Sequence, residues 1–275
     1  MSASPSLTVE ERLWRAVLWG SSILVFAFLM VPLLAIIPLS FNGGPFLTYP
    51  LQGVSLRWYE TVLSDPDWAS ALRNSLIVGS VSTGIATVLG TLAAVGLARA
   101  RFPGHGLVMA VVLSPMIVPV VIVAVGFYLF FAPLGLTGSY AGLILAHTAL
   151  AVPFVVITVS ATLQGYDVTL SRAAASLGAG PLLTFRRVTL PLIAPGVASG
   201  GLFAFATSFD EVVVVLLVAG PGQRTLPREM FSGIRESINP SIMAVATLLI
   251  VFSTLLLITL EVLRRHNEKV RGIAR

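Results

Sequence analysis

Six long apolar segments dominate the hydropathy pattern of this chain. They cover residues 14–39, 75–98, 107–131, 140–163, 192–219 and 242–263. A helix needs about 20 apolar residues to cross the hydrocarbon core of a bilayer, and each segment meets that length. The pattern therefore predicts an all-α membrane protein with six transmembrane helices.

The basic residues predict how these helices are oriented. Six crossings place both termini on one side, and Arg and Lys are enriched in cytoplasmic loops. Of the 17 Lys and Arg residues, only Arg57, Arg73, Arg224, Arg228 and Arg235 fall in the two outer connections. The prediction is a cytoplasmic tail (1–13), a first helix (14–39), a periplasmic loop (40–74), a five-helix core (75–263) containing a cytoplasmic loop (164–191), and a cytoplasmic tail (264–275).

Composition agrees with a polytopic membrane protein. Hydrophobic residues make up 56% of the chain and charged residues 11%, whereas charged residues are about a quarter of a soluble chain. The absence of cysteine excludes disulfides, thiol nucleophiles and cysteine-based metal sites. Because the basic residues flank apolar segments and form no single patch, they favour a membrane surface over nucleic acid.

Local patterns predict anchoring and packing. Aromatic residues of the first outer connection, Trp58, Tyr59 and Trp68, are expected to lie at the membrane interface. Small residues one turn apart allow close helix packing. These pairs are Ser80 with Gly84, Ala86 with Gly90, and Gly196 with Gly200.

An amphipathic segment from Leu170 to Gly196 interrupts the apolar pattern. Its first part predicts a short helix with one apolar face formed by Leu170, Ala173, Ala174 and Leu177. Gly178 and Gly180 then predict a bend, Pro181 opens a second short helix, and Leu190-Pro191 is expected to turn the chain into the next span. Spacing alone leaves two interpretations open, a helix that docks into a partner groove and a helix that lies on the membrane surface.

The same segment resembles the signature loop of binding-protein-dependent ABC importer permeases, in which a Glu-Ala-Ala triplet is followed by a glycine and a Leu-Pro pair. Matching positions are Ala173-Ala174, Leu177-Gly178-Ala179, Phe185, Val188, Leu190-Pro191 and Pro195-Gly196. In that family the loop forms a coupling helix that sits in a cleft of the ATPase subunit. The resemblance implies an ATPase-coupling role for Arg172, Ala173, Ala174, Leu177, Gly178, Ala179, Phe185, Leu190 and Pro191.

One position departs from the family pattern. Arg172 stands where the family usually has the glutamate. Charge pairing with the ATPase is then weaker, or the partner carries a compensating acid. We expect Gly178→Asp to uncouple ATP hydrolysis from uptake, because a side chain at the bend would misplace both short helices.

Further motifs along nearly the whole chain resemble the second permease of spermidine/putrescine importers. They include Phe41-Asn42, residues 56–59, Asn74-Ser75, Arg101-Phe102, residues 147–154, residues 208–214, residues 219–221 and Leu226-Pro227. The resemblance implies a type I ABC importer fold in the bacterial inner membrane, with a cytoplasmic ATPase dimer, a second homologous permease and a periplasmic substrate-binding protein as partners. ATP and magnesium would bind the ATPase, and no cofactor would bind this chain. The implied cargo is a small organic cation such as a polyamine, with an opine, an amino acid derivative or a phosphonate as alternatives.

Two adjacent carboxylates, Asp210 and Glu211, stand within the fifth apolar segment. Each would cost about 2.5–3.5 kcal/mol at the bilayer centre, and less towards the outer end, where both are expected. One hypothesis is that Asp210, with an aromatic wall of Phe203 or Phe209, attracts an ammonium-bearing substrate. The predicted pathway comprises Phe203, Thr207, Ser208, Phe209, Asp210 and Glu211. The alternative is that both carboxylates are hydrogen-bonded structural groups.

The chain carries no phosphate-binding Gly-x-x-x-x-Gly-Lys motif and no hydrolase or metalloprotease motif. Its energy must come from a partner or from an ion gradient. A proton-driven secondary transporter using His147, Asp210 and Glu211 is the second hypothesis, although a lone membrane histidine is more often a hydrogen-bonding group than a proton carrier. An intramembrane enzyme is the third, and it lacks a recognisable constellation.

Overall fold

The computed structural model describes residues 8–99, 102–236 and 240–270. Within these ranges the chain folds into α-helices joined by short connections. They are α1 (Val9–Ser40), α2 (Arg57–Ser64), α3 (Pro66–Arg99), α4 (His105–Ile117), α5 (Val120–Phe131), α6 (Tyr140–Gln164), α7 (Val168–Ser176), α8 (Pro181–Thr184), α9 (Leu190–Asp210), α10 (Val213–Val218), α11 (Leu226–Glu236) and α12 (Ser241–Val270). Arg101 of the predicted motifs and the ends of both predicted tails, residues 1–7 and 271–275, lie outside the described residues.

Four helices of the described ranges are long and apolar enough to cross a membrane. They are Val9–Ser40, Pro66–Ala98, Tyr140–Gln164 and Pro181–Asp210, and the bent pair α4 and α5 makes a fifth if it is one span. The first part of α12, Ser241–Leu255, is also apolar. Length and composition therefore support four or five spans among the residues that the structure describes. The sixth predicted span, residues 242–263, lies in α12 and extends past the part of that helix whose side chains are described.

The third predicted span is broken. Its two halves, α4 and α5, meet at an angle of 105°. Val118 at the break is extended, with ψ of 137°, and Pro119 precedes α5. A residue before proline disfavours the helical region, and proline has no amide hydrogen to donate, so the helix ends here.

The chain divides into two compact units. The first unit comprises residues 1–64 and 233–275, and the second residues 65–232. In the first unit α1 packs against α12, and α12 against α2. The connection after α1 is organised by the buried Asn42, whose side chain bonds the backbone of Phe46, Gly44 and Gln52.

Two of the predicted interface anchors are buried instead. Trp58 is only 8% exposed, and its Nε1 donates to the Asn42 carbonyl at 2.7 Å. Trp68, in the second unit, is 9% exposed. The prediction was wrong for both because each indole fills a core. Phe46 and Tyr49 are the exposed aromatic residues of this connection.

The second unit is built on α3, α6 and α9. A Cβ on Gly196 or Gly200 of α9 would lie against Thr162 or Thr158 of α6, so both glycines permit close helix packing. Gly90 of α3 is equally confined by α6. These pairs pack as predicted, whereas Ser80 and Gly84 lie on an exposed side of α3. A second apolar cluster joins α5, α6 and α10.

Candidate functional site

The connector between α6 and α9, residues 165–189, contains the predicted pair of short helices. Asp167 begins α7, where its carboxylate accepts from the Thr169 backbone N–H at 2.9 Å. Hydrogen bonds from the side chain and the backbone of Thr169 hold the pKa of Asp167 below its usual range. Gly178 ends the first helix with φ of +84°, a left-handed conformation that favours glycine. Pro181 then opens α8 in its first turn.

The expected turn at Leu190-Pro191 is absent from this connector. The helix continues from Pro181 to Asp210 through a π-helical turn, Phe185–Thr189, closed by a bond from the Leu190 N–H to the Phe185 carbonyl. The wider turn adds one residue just before Pro191, whose ring cannot donate a backbone bond and crowds the preceding turn of an α-helix. The π turn therefore accommodates the proline within a continuous helix, and the prediction of a turn at Leu190-Pro191 was wrong.

Large apolar side chains of the connector are exposed. Leu177 is 89% exposed and Leu182 is 79% exposed. The residues assigned to ATPase coupling all lie on accessible positions: Arg172, Ala173, Leu177, Gly178 and Pro191 are exposed, and Ala174, Ala179, Phe185 and Leu190 are half-buried. Apolar residues of this size on an exposed bend form a surface suited to a partner.

Tyr166 joins this connector and was not predicted. Its hydroxyl lies 2.6 Å from Ser171 Oγ in α7 and 3.4 Å from Thr189 Oγ1 in the π turn. No sequence pattern indicates these contacts, because Tyr166 and Thr189 are brought together only by the return of the chain.

The two adjacent carboxylates have different surroundings. Helix α9 ends at Asp210, and Glu211 is extended, with φ of −74° and ψ of 119°. Glu211 Oε1 accepts from the backbone N–H groups of Val213 at 2.7 Å and Val214 at 2.9 Å. Glu211 thus caps α10, whereas the Asp210 side chain is exposed and, in the described part of the chain, has no hydrogen bond or ion pair.

The fifth apolar segment is therefore two helices and not the single span expected to residue 219. The break leaves α10 packed in the core, with Val214 and Val215 fully buried. Its carbonyl end is held by Arg228, whose guanidinium donates to the carbonyls of Val215, Ala219 and Gly220 at 3.2–3.4 Å. Burial lowers the pKa of Arg228, and the nearby charge of Arg224 lowers it further.

The remaining residues of the predicted pathway are divided between surface and core. Phe203 is 52% exposed, Thr207 is half-buried, and Phe209 stacks on Phe205 with ring centroids 5.4 Å apart. Ser208 is buried, and its hydroxyl lies 2.7 Å from His147 Nδ1. The structure therefore groups Phe203, Thr207 and Asp210 on accessible positions and assigns Ser208 to the core beside His147.

The second outer connection, which was predicted to be periplasmic, is held by hydrogen bonds to α3. Asn74 of α3 donates to the carbonyls of Gly222 at 3.1 Å and Arg224 at 2.8 Å, and accepts from the Tyr140 hydroxyl at 2.5 Å. The Leu226 N–H donates to Ser75 Oγ at 2.8 Å. Asn74 and Ser75 fix this connection on the ends of α3 and α6.

A cavity of about 740 Å³ opens at the other end of α3 and α6. It is lined mainly by apolar side chains, with Ser160, Gln164 and His105 as its polar members. His105 Nε2 lies 3.2 Å from the Leu97 carbonyl. Among the described residues, His, Asp and Glu side chains form no group of three that could hold a metal.

Known proteins resemble the chain over most of its length. Residues 86–271 match the family described as the binding-protein-dependent transport system inner membrane component. The putrescine transport system permease protein PotI of Escherichia coli (strain K12) is 36% identical over 252 residues, covering 89% of this chain and 88% of PotI. The spermidine/putrescine transport system permease protein PotC of Shigella flexneri is 33% identical over 248 residues, covering 90% and 94%.

A solved structure is also similar. A bacterial alginate ABC transporter, in complex with its alginate pentasaccharide-bound periplasmic protein, has a chain that superposes with a TM-score of 0.70 at 17% identity, covering 96% of both chains. At this identity the likeness concerns the fold, and it confirms the predicted importer-permease fold.

Proposed function

The chain belongs to the family of binding-protein-dependent transport system inner membrane components and is an ABC importer permease, and we propose that it carries a polyamine, spermidine or putrescine, from periplasm to cytoplasm. Its relatives PotI and PotC are named for putrescine and for spermidine and putrescine. The alginate transporter, whose cargo is anionic, is similar in fold only.

The observation that carries the choice of a cation is the exposed carboxylate of Asp210 at the end of α9. A carboxylate in a membrane segment is costly, by about 2.5–3.5 kcal/mol at the bilayer centre, and is normally retained for a function. Glu211, its neighbour, is committed to the backbone of α10. Asp210 is therefore the carboxylate available to attract an ammonium group.

Aromatic surface near Asp210 suits the same cargo. Phe203, two turns before Asp210 on α9, is about half exposed. An ammonium group near an aromatic face gains about 0.5–2 kcal/mol. A polyamine offers several ammonium groups on an apolar stem, so one molecule can use both kinds of contact.

Energy is proposed to enter at the connector. Its exposed Leu177 and Leu182 would fill a cleft of a cytoplasmic ATPase dimer, which binds ATP and magnesium, and its exposed Arg172 would face an acidic residue of that subunit. This chain would pair with a second homologous permease and receive cargo from a periplasmic binding protein. Both termini and the connector would then be cytoplasmic, and residues 40–74 periplasmic.

One continuous helix links the two ends of the proposed mechanism. The helix Pro181–Asp210 has 30 residues and is about 45 Å long at 1.5 Å per residue. Its first residues belong to the connector and its last residue is Asp210. Closure of the ATPase dimer would displace the connector, tilt this helix and open the outer mouth, which is alternating access.

Reconstitution tests the proposal. The chain is assembled with its ATPase, second permease and binding protein in proteoliposomes, and ATP-dependent uptake of radiolabelled putrescine and spermidine is measured. We expect uptake that excess unlabelled polyamine abolishes and that an alginate oligosaccharide leaves unchanged. ATP-driven uptake of the anionic oligosaccharide and of neither polyamine would overturn the assignment of cargo. Uptake by this chain alone, driven by a proton gradient, would overturn the ATP-driven mechanism.

A further inference from the structure

Tyr166 contacts two separate elements of the connector. It lies in the turn between α6 and α7, where its backbone N–H bonds the Leu163 carbonyl. Its side chain reaches Ser171 in α7 at 2.6 Å and Thr189 at the base of α9 at 3.4 Å. One hydroxyl thus contacts α7 and the helix that leads to Asp210.

Thr189, one of the two residues that Tyr166 contacts, lies in the protein interior. Thr189 is fully buried, whereas Ser171 and Tyr166 are half-buried. Helix α7 is otherwise among the most exposed parts of the second unit, with no buried residue. The hydroxyl of Tyr166 therefore bridges an exposed helix and the buried base of α9, with a short contact to Ser171 and a longer one to Thr189.

Two irregular elements, a glycine bend and a π turn, lie between α7 and α9. Gly178 bends the chain at φ of +84°, and the π turn Phe185–Thr189 adds one residue to the helix that follows. π turns within α-helices are frequently found at functional sites. If α7 moved while these elements flexed, the motion would be absorbed before it reached α9.

We propose that Tyr166 is a positioning residue that makes α7 and the base of α9 move together, so that displacement of the connector is passed to the transmembrane helix. The inference rests on the proposed function, because it presumes an ATPase that moves α7. In this role Tyr166 acts through its contacts with Ser171 and Thr189.

The test is the coupling ratio of the complete transporter, the number of polyamine molecules imported per ATP hydrolysed, in proteoliposomes with radiolabelled putrescine. Tyr166→Phe removes the hydroxyl and keeps the ring, and we expect a several-fold fall in the ratio while ATP hydrolysis continues, because a hydrogen bond between moving parts is lost. Ser171→Ala should lower the ratio in the same way. The double variant should have the same coupling ratio as Tyr166→Phe, because both single variants break the hydrogen bond between Tyr166 and Ser171.

Matched controls separate this role from general stability. Ser176→Ala alters the same helix, where the Ser176 hydroxyl donates to the Arg172 carbonyl of that helix, and Tyr128→Phe alters an exposed tyrosine of α5. Both should keep the wild-type ratio. A wild-type ratio in Tyr166→Phe or in Ser171→Ala, or additive effects in the double variant, would overturn the inference. If Tyr166→Phe failed to assemble, the ratio of Ser171→Ala would decide. A wild-type complex without ATP-driven polyamine uptake would instead refute the proposed function.

Discussion

The carboxylate of Glu211 accepts a hydrogen bond from the backbone N–H of Val213 at 2.7 Å and thereby caps the helix that follows the break in the fifth apolar segment. A side chain that satisfies the first amides of a helix contributes about 1 kcal/mol, and more when the amides are removed from water. Asp210, one residue earlier, makes no such contact in the described part of the chain. The two neighbouring acids therefore have different surroundings, and this difference predicts different mutant phenotypes.

Glu211→Ala should lower the stability of the protein in detergent by about 1–2 kcal/mol, because two backbone donors at the start of α10 lose their acceptor. Glu211→Gln keeps a carbonyl oxygen at the same place and should lose less. Thermal unfolding of the two purified variants measures the difference. Equal stability of Glu211→Ala and the wild type would show that the cap contributes nothing.

Asp210→Asn should leave unfolding unchanged and weaken uptake. Removal of the charge is expected to raise the KM for putrescine about tenfold, which corresponds to roughly 1.4 kcal/mol of lost attraction. Initial uptake rates over a range of putrescine concentrations provide the measurement. Asp67→Asn, which removes an exposed carboxylate from the first turn of α3, is the matched control and should keep the wild-type KM. An unaltered KM in Asp210→Asn would remove this residue from the cargo pathway.

Gly178→Ala should reduce coupling between ATP hydrolysis and uptake. A Cβ at Gly178 meets no atom within 4 Å, but its φ of +84° costs an L-residue about 1–2 kcal/mol. Relief of that strain would change the angle between α7 and α8. Gly180→Ala is the control, since Gly180 has equal space and an ordinary φ of −67°. The ratio of uptake to hydrolysis is compared in the two variants, and identical ratios would exclude a role for the bend.

Arg172→Glu should weaken binding of the ATPase, because the proposed partner surface is acidic at this position. Exposed ion pairs contribute about 0.2–1 kcal/mol, so the loss of affinity is modest and should diminish at high salt. Arg172→Lys keeps the charge and should bind nearly as the wild type does. Binding of purified ATPase to each variant at low and high salt tests this. Tighter binding of Arg172→Glu would show that the partner surface is basic.

The connector shows where sequence reasoning succeeded. Helix-forming residues, Gly178 and Pro181 predicted two short helices and a bend, because capping, left-handed glycine and N-terminal proline are local properties. The same reasoning placed a turn at Leu190-Pro191, whereas the chain continues as a helix through a π turn. Whether a proline ends a helix or is accommodated by a π turn depends on the surrounding packing, and the local sequence pattern carries no information about that packing.

The buried tryptophans and the two adjacent acids show what local sequence patterns cannot predict. Trp58 and Trp68 have the composition of interface anchors, yet each is buried in its own unit. Asp210 and Glu211 were both placed in the predicted pathway because hydropathy assigns both to one helix. The difference in their surroundings follows from the packing of α10 against α5 and α6, which directs the first amides of α10 towards Glu211.

The all-helical membrane character of the protein, its resemblance to importer permeases and the position of the connector follow from apolar length, helix signals and motifs, which are read residue by residue. The break of the fifth apolar segment at Glu211, the exposure of Asp210 and the contacts of Tyr166 with Ser171 and Thr189 are evident only in the folded chain. These features depend on contacts between residues far apart in the chain, and such contacts arise only when helices pack.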